Sequence, residues 1–174
     1  HSSRKNLPLL LDALAMTNIN FELHILGSGE LTDKWKNYAI SNDVNDKCYW
    51  HGWLKHKESI EIMKTGDLFC ITSISDLTST VTIEALSCGL PIICLDHCGF
   101  SYVVNEKCGI KVQVKSYKKA VFDFAHNINL IGLREDIRYE LSRGALKRAK
   151  DFKWDKKIDK INNIYDELLN KSDS

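Results

Sequence analysis

The chain has 174 residues, 44% hydrophobic and 27% charged, with 24 Lys and Arg against 23 Asp and Glu for a formal charge of +1. That length supports a domain with a real core, and the balanced charge removes any bulk electrostatic argument for a nucleic-acid or membrane partner. No apolar run approaches the roughly 20 residues of a membrane-spanning helix, and no signal peptide is visible.

The chain starts with His1 rather than Met, and polar residues lead straight into a helix pattern. The expectation is a piece of a longer protein, or a chain preceded by a tag remnant. The cysteines are Cys48, Cys70, Cys88, Cys94, Cys98 and Cys108, four of them in or beside apolar runs and none in a C-x-x-C pair. A zinc knuckle or a disulfide framework is therefore disfavoured, and reduced, small buried thiols in a reducing compartment are expected.

In chain order, residues 7–16 (L-P-L-L-L-D-A-L-A-M) read as a helix with Pro8 in the first turn, where its missing N–H costs nothing. Residues 21–26 alternate and read as a strand. Gly27-Ser28-Gly29 breaks it, and Glu30 to Ile40 reads as a polar helix. A short strand at 47–50 ends at His51-Gly52, and a helix from Glu58 to Lys64 is closed by Gly66. The strand at 68–72 leads through a polar loop carrying Asp76 to a helix that opens near Ser79-Thr80, holds Glu84 and stops at Gly89. Pro91 starts the strand at 91–95, a loop spans 96–108, and G-I-K-V at 109–112 is a further strand. From Ser116 onward the chain is mostly helical, with breaks expected at Gly132 and at Lys153-Trp154.

Strands alternating with helices indicate βαβ units and a parallel sheet. Right-handed crossovers make this a Rossmann-like, doubly wound α/β fold, read as one domain over residues 1–174. Ligands of such sheets bind beyond the carboxyl ends of the strands, which here means loops 27–30, 51–54, 73–80 and 96–101.

Gly27 and Gly29 let the backbone approach a phosphate or sugar, although a plain tight turn explains them equally. The third glycine of a dinucleotide fingerprint would fall at Thr32, which weakens an NAD oxidoreductase reading. The helix opening at Ser79-Thr80 could hold an anion on its unpaired N–H groups. Glu84, one turn further in, could then accept hydrogen bonds from both ribose hydroxyls of a nucleotide, and Asp76 could reach the far side of the diphosphate. A capping box would need Ser or Thr at position 81, which is Val81, while a simple solvated glutamate stays open. His24 reads as a core or packed histidine, His51 as either a ligand contact or a turn residue, and His97 as a surface residue. The lysine-rich stretch 147–160 is interspersed with Asp151, Asp155 and Asp159 and reads as a solvated face.

These residues resemble a known family. Asp76-x7-Glu84 followed by Ala85-Leu86-Ser87-Cys88-Gly89-Leu90-Pro91 is similar to the E-x7-E motif of the C-terminal, donor-binding domain of GT-B glycosyltransferases, in the group-1 (family 4) retaining class. F-E-L-H-I-L-G-S-G-E, C-Y-W-H-G-W-L and G-D-L-F-C-I-T-S resemble that family's strands and turns, and F-K-W-D-K-K-I-D-K-I-N-N-I-Y its closing helix.

The resemblance implies a nucleotide-diphosphate sugar as the donor and a carbohydrate or lipid-linked acceptor, in polysaccharide or glycoconjugate synthesis of bacterial type. Glu84 would bind the ribose and Asp76 the sugar hydroxyls. Thr80 and Val81 would hold the diphosphate through their backbone, and Gly27 and Gly29 would leave room for the donor. Lys5 matches the lysine of an R-x4-K diphosphate clamp whose arginine would fall one residue before His1. No metal and no other cofactor are expected.

An N-terminal acceptor domain would be missing, leaving a hexosyltransferase fragment with little or no turnover. The location implied is cytoplasmic, with peripheral association of the full-length protein at the inner face of a membrane permitted. Two departures stand out. Ser79 replaces a glycine before the central helix, and Cys98-Gly99-Phe100-Ser101-Tyr102 replaces a G-G-x-x-E loop. A non-catalytic nucleotide-binding or interaction module on the same fold is the alternative.

Overall fold

The computed structural model describes residues 3–75 and 80–172. After a 3₁₀ turn at Ser3–Lys5, helices and strands alternate: α1 (Leu7–Ala15), β1 (Leu23–Leu26), α2 (Thr32–Ser41), β2 (Cys48–Gly52), α3 (His56–Lys64), β3 (Phe69–Ile71) and α4 (Thr80–Ser87). They continue as β4 (Ile92–Leu95), α5 (Phe100–Val103), β5 (Gly109–Val112), α6 (Tyr117–Leu133), α7 (Glu135–Ala149) and α8 (Trp154–Ser172).

All strand pairings are parallel: β1 with β2, and β3 with β4 with β5. Each crossover runs through a helix, as parallel strands require. Helices cover both faces, and the sequence of β4 shows why. All four of its residues are buried, and successive side chains point to opposite faces. Ile93 and Leu95 join the cluster formed with α1, α2 and α6, whereas Ile92 and Cys94 join the one formed with α3, α4 and α7. This is the continuous apolar run of a strand buried on both sides.

The α/β, Rossmann-like expectation holds, with local differences. The expected strand at 21–26 is shorter, and α2 starts at Thr32 rather than Glu30. α3 starts earlier than expected, at His56, because the Lys55 N–H donates to Glu58 Oε2 at 2.8 Å and closes the first turn. Loop 96–108 contains the short helix α5, with Phe100 fully buried. The break expected at Gly132 holds to within a residue, since α6 ends at Leu133 and α7 begins at Glu135. A Cβ on Gly132 would stand 2.6 Å from Ile19 Cδ1, so this glycine serves close packing inside a helix. The parallel pairing is also divided into two ladders, with no pairing between β1 and β3 among the described residues.

Candidate functional site

The carboxyl ends of the strands carry the polar features. Immediately after β1, Gly27 takes a φ of 94° and donates its N–H to Gly52 O at 2.7 Å. Gly52 has a φ of 66°, and a Cβ there would meet nothing within 4 Å, so the backbone angle alone favours glycine at this turn. The turns after β1 and β2 are thus tied together. The Gly29 N–H donates to Thr32 Oγ1 at 2.9 Å, so the residue that interrupts the dinucleotide fingerprint closes the turn into α2.

At the end of β3, the Thr72 hydroxyl donates to Lys5 O at 2.8 Å and the Ile74 N–H donates to Arg4 O at 2.9 Å. The Ser3–Lys5 turn is therefore strapped across the carboxyl end of β3, beside the buried Thr72 and Ser73. Asp76 and Ser79 lie outside the described residues.

α4 then begins with Thr80 exposed, Val81 half-buried and Thr82 fully buried. Ala85 and Leu86, both completely buried, fix which way this helix turns. Glu84 consequently points to the opposite, open side, with 30% of its side chain exposed and Oε1 3.2 Å from His56 Nε2. His56 is the first residue of α3, so this contact links the starts of two helices.

The fourth loop holds a polar network that sequence reading missed. Asp96 accepts hydrogen bonds from the Ser101 hydroxyl and the Gln113 amide, and Lys111 Nζ stands 3.6 Å away. The Ser101 hydrogen bond, followed by those further partners, holds the Asp96 carboxyl below the usual carboxylate range. Cys98 has a φ of 57°, and its Sγ lies 3.8 Å from Ile74 O, which brings loop 96–99 against the end of β3.

The structure therefore brings Lys5 to the β3 loop, Gly27 to Gly52, and Glu84 to His56. Nothing in the spacing of the sequence pointed to His56. Asp96 had a signal in its position, an acidic residue directly after an all-apolar strand. Of the two readings of His24, core or packed, the packed one holds. It is exposed, stacks on Tyr49, and places Nδ1 2.9 Å from His51 Nε2. Its side chain lies on the face opposite Ile25, which is buried.

The cysteines are free thiols. Burial pushes Cys48 up to about 11 and Cys70 and Cys94 up to about 12. Among the described residues no three His, Cys, Asp or Glu side chains converge as a metal site, and no helix is long and apolar enough to cross a membrane.

The family described as glycosyl transferases group 1 matches residues 2–145. An uncharacterised glycosyltransferase of Methanocaldococcus jannaschii is 23% identical over 169 residues, which cover 95% of this chain and 45% of that protein. The sucrose-phosphate synthase of Thermosynechococcus elongatus superposes with a TM-score of 0.81 at 19% identity, covering 97% of this chain and 43% of the other. Anabaena HepE, solved in complex with UDP and glucose, superposes with a TM-score of 0.79 at 19% identity, covering 98% and 46%. The chain spans less than half the length of each of these proteins.

Proposed function

The chain belongs to the group 1 glycosyltransferases, and from that premise we propose that it is the donor-binding domain of a retaining hexosyltransferase that uses a nucleotide-diphosphate sugar. The observation that carries this reading is the setting of Glu84. Its carboxylate stands one turn inside a helix that opens at the carboxyl end of the sheet, and it is open to a ligand while held on one side by His56. A diphosphate at the start of α4 meets unpaired N–H groups at the positive end of the helix dipole, through the backbone of Thr80 and Val81. The ribose then falls at Glu84, whose carboxylate accepts from both hydroxyls.

Lys5, strapped beside the β3 loop, offsets the negative charge that builds on the nucleotide diphosphate as the sugar departs. With that cation and the helix start in place, the reading requires no metal. Asp76 contacts the sugar hydroxyls, and Gly27 and Gly29 leave space for the donor. HepE, a structural neighbour solved with UDP and glucose, supports this class of ligand. The acceptor, a saccharide or a lipid-linked saccharide, is brought by a further domain of the longer protein, which also gives any peripheral contact with a membrane.

Calorimetric titration with UDP-, GDP- and ADP-glucose tests the proposal. Saturable binding of one of them, weakened by Glu84→Ala, is the expected result. If none binds and Glu84→Ala changes nothing, the domain is an interaction module on the same fold.

A further inference from the structure

A groove of about 1000 Å³ runs between α7, the loop before β5 and the first turn of α8. Lys107, on its wall, stands just before Gly109, the first residue of β5. The groove therefore lies at the amino end of a parallel sheet whose carboxyl end carries the candidate donor site. α7 reaches this loop because Gly144 has no side chain: a Cβ there would fall 1.6 Å from Lys107 O.

The groove is cationic. Lys107, Arg143, Lys147 and Lys150 line it, all four exposed, and none of them forms an ion pair among the described residues. Asp151, also on the wall, is already engaged by Arg148 Nη1 at 3.3 Å and Lys156 Nζ at 3.1 Å. Glu106 and Glu140 are the other carboxylates, so four cations face two carboxylates in a chain whose total formal charge is +1. Arg143, Lys147 and Lys150 recur after four and three residues, on one face of α7 and its continuation, and span about 10 Å along it.

Its section selects the shape of the occupant. From Ile137 to Lys150 the groove follows about 20 Å of helix. A volume of about 1000 Å³ then gives a section of about 50 Å². A single extended chain has that section, from a spacing of about 4.8 Å and a thickness of about 10 Å. A helix about 10–12 Å across needs about 80–110 Å². Among the described residues no strand lines the groove, so an extended peptide would find no free strand edge to pair with. An acidic saccharide needs only side-chain cations and donors.

We propose that this groove is a second saccharide site, which holds an extended acidic saccharide chain at the end of the domain opposite the donor. The anionic, extended character follows from the groove alone, and the choice of a saccharide rests on the transferase reading above. An acidic polymer held there stays attached to the domain without occupying the donor site.

Calorimetry on the full-length protein tests this with an oligogalacturonate, a neutral maltooligosaccharide of equal length and a glutamate oligopeptide of equal length. Wild type is compared with R143E/K147E/K150E in the groove and with K34E/K115E/K118E, which makes the same change of charge at exposed positions outside it. The oligogalacturonate is expected to bind wild type saturably and more tightly than either other probe. The groove variant should weaken it at least about 10-fold and the control variant less than about 3-fold, because three weak attractions become three weak repulsions. No binding of the oligogalacturonate to wild type, equal weakening by the two variants, or tighter binding of the glutamate peptide would each overturn the proposal. Should urea denaturation show that the groove variant is misfolded, R143Q/K147Q/K150Q replaces it; a loss of at least about 3-fold is then expected, and no loss overturns the proposal. Nucleotide binding, measured on the same samples, should be equal in all variants. Its absence while the oligogalacturonate still binds would remove the donor reading and leave the groove standing.

Discussion

His56 Nε2 stands 3.2 Å from Glu84 Oε1, joining the first turn of α3 to the first two turns of α4. The contact leaves the second carboxylate oxygen of Glu84 for a ligand and limits the rotation of the side chain. Hydrogen bonds to a charged acceptor contribute about 1.5–3 kcal/mol each. Glu84→Ala should therefore weaken nucleotide binding by about 100-fold. His56→Ala, which removes only the positioning contact, should weaken it by about 5-fold, and His56→Gln should recover part of that loss. Titration calorimetry on the three variants checks the order.

Thr82 is fully buried, and its Oγ1 has no hydrogen-bond partner among the described residues. A buried hydroxyl without a partner carries its desolvation cost uncompensated. Thr82→Val keeps the shape and removes that cost, so it should stabilise the fold by about 1 kcal/mol. Urea denaturation should show a higher midpoint with an unchanged slope.

Gly144 on α7 is in the opposite situation. A Cβ there would fall 1.6 Å from Lys107 O and 2.6 Å from Lys107 C, both backbone atoms with little room to move. α7 packs on α4, so the helix carrying Glu84 depends on this close approach. Gly144→Ala should destabilise by more than about 3 kcal/mol, through overpacking. The same denaturation experiment should show it, or the variant should fail to accumulate.

Asp96 gives the acid limb of stability a local origin. Its folded carboxyl is held below the ordinary value, with the Ser101 hydrogen bond as the largest cause. A depressed carboxyl contributes stability above its unfolded value of about 3.9, and that contribution is lost as pH falls through the lower folded value. Ser101→Ala should therefore lower stability near neutrality slightly, by less than about 1 kcal/mol. The difference from wild type should vanish once pH has fallen through the lowered folded value of the wild-type carboxyl, where both carboxyls are protonated.

Thiol labelling should divide the cysteines by exposure. Cys98 is exposed, whereas Cys94 and Cys108 are fully buried and Cys94 is pushed up to about 12. Only the thiolate reacts, so a maleimide at pH 7 should modify Cys98 first. Cys94 should react only after denaturation, which peptide mapping would establish.

Much of this fold was legible because its strands are short and bounded by turn residues. Ile92–Leu95, buried on both faces, announces itself as a continuous apolar run, and Gly89 marks the end of α4 in the sequence as in space. Gly132 marked the end of α6 to within a residue, and the same glycine also admits Ile19. The helix α5 was hidden in a short polar stretch whose order comes from burying Phe100. The division between β1 and β3 could not be read at all, since a gap between strands has no residues to mark it. At the site, Glu84 stood out by its spacing. His56 did not, because its contact joins residues 28 apart through tertiary packing.

The central claim is that Glu84 receives a nucleotide ribose. The most direct measurement compares the affinity of the full-length protein for UDP and for its 2′,3′-dideoxy analogue, or for the equivalent pair of whichever base binds best, in wild type and in Glu84→Ala. The account predicts that loss of the hydroxyls costs the wild type about 100-fold and costs Glu84→Ala nothing further, a strong coupling between the two changes. Equal losses in the two proteins would contradict it, because the hydroxyls would then be held by some other group.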